Sequence, residues 1–161
     1  MLFTFLLVIC AISIQAANMP IAAIPQVNSA PSVDGQIGQS EWSNAAVICG
    51  FRDIGEGYPA KAKTVVSLCY DNSAIYILYR CYGEDVNKLA GATAERDSAI
   101  WNDSEVETFI MPPKWNGKYA HFMLNHAGAY AEQAYKGTGD MSWNPVWNCK
   151  TGKTSDMWFA E

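Results

Sequence analysis

Trp101-Asn102-Asp103-Ser104-Glu105-Val106-Glu107-Thr108-Phe109-Ile110 is the stretch from which the rest of the chain can be read. It joins an indole and three carboxylates to a β-forming run that ends in Phe-Ile, the composition of a strand with a polar mouth and a buried far end. Side chains alternate across a strand, so Glu105, Glu107 and Phe109 are expected on one face and Val106, Thr108 and Ile110 on the other. Two carboxylates then project side by side with Trp101 just upstream. Such an arrangement either holds a ligand or is the solvated end of a strand.

The flanking segments carry the same strand signature. Lys63 to Tyr70 and Ala74 to Tyr82, rich in Val, Ile and Tyr, face each other across the polar turn Asp71-Asn72-Ser73-Ala74. Tyr119 to Asn125 and Ala129 to Tyr135 flank His126-Ala127-Gly128 as a second hairpin. Shorter strands are expected over Ala46 to Phe51, over Trp147 to Lys150 and from Met157 onward. Pro112 and Pro113 lack ladder donors, so the chain must leave the sheet after Met111. Val86 to Ile100 has no strand period and reads as a long surface connection, and Lys136 to Asp140 as a loop. Upstream, Asp34-Gly35 signals a tight turn, and Ser40 to Ala46 a single helical turn whose Trp42 belongs to the core. With no long amphipathic helix, the expected fold is an all-β antiparallel β-sandwich, immunoglobulin-like or jelly-roll-like.

Met1 to Ala17 contains no charge and runs through an apolar core to small residues at Ala16 and Ala17. That is the shape of a secretory signal peptide, too short to cross a bilayer as a helix, and it predicts a secreted, periplasmic or cell-surface protein. Residues 18–32, rich in Pro, Ala and Ser, read as an extended leader, and residues 33–161 as one domain whose last strand is cut short at Glu161. The net charge of -5 and the lack of a basic cluster argue against nucleic acid as a partner, and no later stretch could insert into a membrane. Cys49, Cys69, Cys81 and Cys149 follow the signal. In the first hairpin Cys69 faces the region of Tyr76, which leaves Cys81 on the order of 16 Å away, too far for a bond between the two. Cys49 with Cys149 stays open beside four buried free thiols.

Taken together, four ordered pieces resemble the family 9 carbohydrate-binding modules: Ala30-Pro31-Ser32-Val33-Asp34-Gly35 followed by Glu41-Trp42; the Thr64 to Tyr82 hairpin with Tyr70-Asp71 and Ile75-Tyr76; Trp101 with Asp103 and Val106-Glu107-Thr108-Phe109; and Trp158-Phe159-Ala160-Glu161. The resemblance implies a sandwich related to the DOMON group and non-catalytic binding of sugars between two tryptophans, with calcium nearby. Trp101 matches one clamp tryptophan, Glu107 a sugar-bonding acid, and Glu84 falls near a second acidic position. The other clamp tryptophan would lie beyond Glu161, and an arginine of the family pattern is replaced by Met123.

The residues themselves support the same chemistry. A pyranose has an apolar C–H face and a rim of hydroxyls, which Trp101 and the acids Glu105 and Glu107 can meet by stacking and by charge-assisted hydrogen bonds. Trp115, Trp143 and Trp147, lying in or beside loops, are further candidates for a site wall but better candidates for packing. A glycosidase using Glu105 and Glu107 is a rival, weakened because acids on one strand approach a ligand from one side rather than flanking a bond. A DOMON-like haem or interaction domain is the alternative, with His121, His126 or Met123 as axial ligands. Asp97, Asp103 and Glu105, or Glu84 and Asp85, are hard-oxygen donors for a calcium ion that would be structural.

Overall fold

A computed structural model describes residues 21–38, 40–91 and 95–161; the signal-peptide reading of residues 1–17 lies outside them. The strands are β1 (Ala46–Ile48), β2 (Lys63–Tyr70), β3 (Ile75–Tyr82), β4 (Glu105–Ile110), β5 (Tyr119–Asn125), β6 (Tyr130–Tyr135), β7 (Gly139–Asp140), β8 (Thr151–Lys153) and β9 (Met157–Ala160). They form two antiparallel sheets, a five-stranded one in the order β1-β2-β3-β9-β8 and a four-stranded one in the order β4-β5-β6-β7. The expected β-sandwich is therefore present. Its register is set locally at the β2–β3 turn, where Asp71 Oδ1 accepts from Ser73 N at 2.7 Å and Ala74 N at 2.9 Å. Tyr76 donates its hydroxyl to the other oxygen at 3.0 Å. Led by the bonds from Ser73, these contacts hold the Asp71 carboxyl down to about 2.

Alternation builds three apolar layers. Between the sheets, Leu124, Trp158 and Ala160 are buried with Tyr79, Val106 and Trp147 packed against them. The Tyr79 hydroxyl crosses the gap to Thr108 Oγ1 at 2.7 Å. On the far side of the five-stranded sheet, the N-terminal segment lays Trp42 over Cys69, Leu78 and Phe159. That segment is tied down by Gly35 N, which donates to Glu161 Oε2 at 2.9 Å. Ile100, Met123, Ala129 and Ala131 make the third layer, on the outer face of the four-stranded sheet. Burying one large aliphatic side chain in such a layer stabilises the fold by roughly 1.5–3 kcal/mol.

Several expectations shift. The central strand begins at Glu105, and Trp101 belongs to a 3-10 turn over Ile100–Asn102 that Asp103 N closes onto Ile100 O at 2.9 Å. The strand expected over Trp147 to Lys150 forms instead at Thr151–Lys153. Its ladder opens where Lys150 N donates to Glu161 O and Glu161 N to Lys150 O, while Trp147 and Cys149 are drawn into the core ahead of it. Gly139–Asp140, read as loop, pairs with the end of β6. Within the segment expected as leader, residues 25–27 run beside the end of β2, with Val27 N donating to Tyr70 O at 2.8 Å and Tyr70 N to Pro25 O at 3.1 Å. The four cysteines among the described residues are free, and Cys49 is exposed rather than buried. Burial pushes the Cys81 thiol up to about 12 and raises Cys69 and Cys149 too, so these three behave as packing groups.

Candidate functional site

Registers in the four-stranded sheet decide which side chains share its outer face. Glu105 lies opposite Asn125, Glu107 opposite Met123 and Phe109 opposite His121. On the next strand Met123 lies opposite Ala131, His121 opposite Gln133 and Tyr119 opposite Tyr135. Val106, Thr108, Phe122 and Leu124 point the other way, into the sandwich. The predicted split of β4 into an acidic face and an apolar face is thus the observed one.

Trp101 reaches this face on a strap. Its neighbour Ile100 is fully buried against Met123, the cross-strand partner of Glu107, and this anchor holds the indole up with 57% of its surface exposed. The strap is stitched on both sides. Ser104 N donates to Ala90 O at 2.9 Å, Ser104 Oγ accepts from Ala90 N at 3.1 Å, and His126 Nε2 lies 2.5 Å from Gly91 O. Gly91 has φ +88, and a Cβ there would collide with the Asp103 carboxylate, so the close approach requires glycine. Asn125 is the hub beneath. Its Nδ2 donates to Asp103 Oδ2 at 2.7 Å while its Oδ1 accepts from Ala127 N and Ala129 N.

The acids of the face differ in their surroundings. Glu105 is half-buried, and its carboxyl is pushed up to about 7, first by desolvation and then by the charges of Glu107 and Asp103. Glu107 stays open to solvent with Oε2 3.3 Å from His121 Nε2. The His121 ring is stacked under Phe109 with centroids 4.0 Å apart. One charged acceptor, one acid poised to donate or accept, and a solvent-facing indole can between them hold a ring bearing several hydroxyls.

Other predicted residues lie elsewhere. Glu84 follows β3 in the opposite sheet, and its exposed carboxylate accepts from Trp158 Nε1 at 3.2 Å through Oε2. Trp143 and Trp147 meet Phe122 edge-on at 5.8 and 5.1 Å, and Trp115 meets Trp143 at 6.2 Å, all on the inner side. Met123 lies under Ile100 with 4% exposure, and His121 is covered by Phe109, which leaves neither free as an axial haem ligand. Among the described residues no three His, Cys, Asp or Glu side chains are grouped to hold a metal ion. Asp103 is engaged with Asn125, and Asp85 with Lys88 at 3.1 Å.

A cavity of about 460 Å³ lies away from Trp101. It lies between the sheets among Val106, Ile110, Phe122 and Val146, and its apolar walls mark it as sandwich interior rather than a place for hydroxyls. Asn125 and Gln133 are the outer-face residues that the sequence did not flag, and Phe109, placed on this face by alternation but expected at a buried strand end, is 57% exposed on the edge strand β4. Strand alternation exposes Phe109, but pairing β4 with β5 requires the register across the Pro112–Lys118 crossover, which no turn signature fixes.

Comparison with known proteins bears on the fold. A scan against models of protein families finds no match, and no curated protein matches. Among solved structures, the chain is similar to a family 9 carbohydrate-binding module from Caldicellulosiruptor kristjanssonii, solved in complex with glucose. The two superpose with a TM-score of 0.56 at 17% identity, over 85% of this chain and 65% of that one. This chain has the fold of a family 9 carbohydrate-binding module. The family 9 fold agrees with the order of elements read from the sequence, and the chain spans 65% of that module's length.

Proposed function

We propose that this chain is a non-catalytic carbohydrate-binding module, exported and working beside polysaccharide-degrading enzymes. The observation that carries the reading is an indole held out to solvent on a turn whose Ile100 packs on Met123, the cross-strand partner of Glu107, which is two residues from Glu105 along β4. The fold likeness to a module solved with glucose supports a sugar as the ligand class. Trp101 stacks on the apolar face of a pyranose, while Glu107 and Glu105 bond its hydroxyls. Glu84 lies beyond β3 in the opposite sheet, its carboxylate accepting from Trp158 Nε1. Catalysis is not part of the reading, because Glu105 and Glu107 rise from one strand on one side, whereas glycoside hydrolysis needs carboxyls on either side of the bond. Export rests on the uncharged apolar start, Met1 to Ala17.

Isothermal titration calorimetry with glucose and gluco-oligosaccharides tests the proposal. Wild type should release heat with at least one of them, and Trp101→Ala should weaken binding about 30-fold or more, the loss of roughly 2 kcal/mol expected of an aromatic anchor. Equal affinities for the two proteins would remove Trp101 from the site, and no heat from wild type with any sugar would overturn the reading.

A further inference from the structure

The strands that end the two sheets are not alike. β1, β7 and β8 have three, two and three residues, whereas β4 presents six, in unbroken register and without a proline. Short strands, prolines and bulges are the usual means of keeping an edge from pairing, and β4 uses none of them. Backbone alternation shows which of its groups are on offer. Ser104 O accepts from His126 N at the end of β5 at 3.0 Å, so the even-numbered residues of β4 continue that ladder. Glu105, Glu107 and Phe109 then direct their N–H and C=O groups away from β5. The Glu107 carbonyl agrees, because the Tyr79 hydroxyl meets it from the opposite sheet at 3.3 Å. Among the described residues no strand lies on this side of β4.

The two faces beside this edge differ in chemistry. Inward, Val106, Thr108 and Ile110 line the cavity of about 460 Å³ together with Ile75, Ile77 and Tyr79 of β3. Because β4 is the last strand of its sheet, that wall ends with it, and Ile75 is left 55% exposed on the cavity side. Outward, the edge carries Glu105 and Glu107, with the Asp103 charge acting on Glu105. Among the described residues no lysine or arginine pairs with any of the three.

We propose that the free edge of β4 takes up an extended segment of a partner polypeptide by strand addition, with apolar residues entering the cavity and lysine or arginine residues standing beside Glu105 and Glu107. Main-chain groups of Glu105, Glu107 and Phe109 supply the ladder, and alternate side chains of the guest fall on the two faces. An apolar side chain turned inward leaves water for a space bordered by Val106, Ile110 and Ile75. A cation turned outward gains opposite-charge contacts across the strand pair and offsets the mutual repulsion of the acids. The same acids disfavour a second copy, since pairing β4 with β4, outer face beside outer face, gathers Glu105 and Glu107 of both chains at one seam. An acidic segment is disfavoured for the same reason. The edge is roughly 20 Å long, so a guest of about six residues covers it. Trp101 takes no part, and the inference stands apart from sugar binding.

Fluorescence anisotropy with three labelled heptapeptides tests it: one alternating lysine with isoleucine, one with glutamate in place of lysine, and an isomer of the first with its lysines gathered at one end. The alternating basic peptide should bind saturably, and the other two about 10-fold or more weakly. Glu107→Lys, a change at an exposed side chain, should weaken the basic peptide and strengthen the acidic one. N-methylating the amides of the lysines alone, or of the isoleucines alone, blocks one edge of the guest strand at a time. One methylated peptide should lose binding and the other keep it, a readout that leaves the protein unaltered. In hydrogen exchange the basic peptide should slow the amides of Glu105, Glu107 and Phe109 about 10-fold or more, with little change at Val106 and Thr108. Equal binding of all three peptides, or of none, overturns the proposal, as does protection confined to residues outside β4. A free protein already dimeric by light scattering, with those three amides protected, gives the edge to a second copy and overturns it too.

Discussion

At Glu105 burial and neighbouring charge act in the same direction. Desolvation, Glu107 and Asp103 all favour the protonated form and bring its carboxyl from 4.5 up to about 7. The folded state therefore holds that proton more tightly than the unfolded chain. The group costs the fold nothing below pH 4.5, and its penalty grows as the pH rises from 4.5 through 7. The full shift corresponds to about 3 kcal/mol, which solvent at this half-buried position reduces to about 1–2. Glu105→Gln should then be more stable than wild type by that amount at pH 8 and equal to it at pH 4, as read from urea midpoints at both values. A variant that gains the same stability at both would show that packing, not charge, is relieved. The sequence revealed that two acids share this face, because alternation alone fixes it. It did not reveal which is the strained one, since that depends on the cover supplied by a distant strap.

The segments 86–91 and 95–102 have the least signature in the sequence, yet they position the indole. Arg96 reaches from the second to the inner face of β6, pairing with the fully buried Glu132 and lying over the Tyr130 ring at 5.2 Å. Glu132 also accepts from Trp147 Nε1 at 3.2 Å, and Asp97 N donates to Tyr130 O at 2.9 Å. A carboxylate on the core side of a strand breaks the polar-out rule by which strand faces are read, and its cation comes from a segment without periodicity. Neither half of the pair could have been assigned before the fold was known. Arg96→Met leaves the carboxylate buried with an indole as its remaining donor. It should cost about 2–3 kcal/mol, below the usual loss for a broken buried pair because Arg96 is itself partly exposed. With one end of the strap released, glucose affinity should fall as well, measured by calorimetry below the melting transition. Unchanged affinity in a destabilised protein would mean that Ile100 alone fixes the Trp101 turn.

Across the whole molecule the sequence conveyed the layers better than their edges. Hairpins with polar turns, at Asp71 to Ala74 and His126 to Gly128, carry their own register, and both formed where expected. Strands whose pairing depends on distant partners moved. β8 starts at Thr151 because Lys150 and Glu161 open its ladder, a long-range fact that no local propensity encodes. The residue that links most of these parts is Trp158. It is 2% exposed between the sheets, packs with Leu124 of the opposite sheet, donates to Glu84 at 3.2 Å and meets His126 edge-on at 6.5 Å. His126 in turn holds the strap at Gly91. Truncating Trp158 to alanine should remove about 3–5 kcal/mol through lost transfer energy and an unfilled cavity, a large part of the 5–15 kcal/mol a domain typically has. In urea the midpoint should fall by about 2 M at an m-value near 2 kcal/mol/M, with the slope preserved. If the two sheets and the strap unfold as one unit, circular dichroism and tryptophan fluorescence should trace the same transition in the variant. Separate transitions, with the fluorescence change first, would show that the outer face of the four-stranded sheet melts independently of the core beneath it.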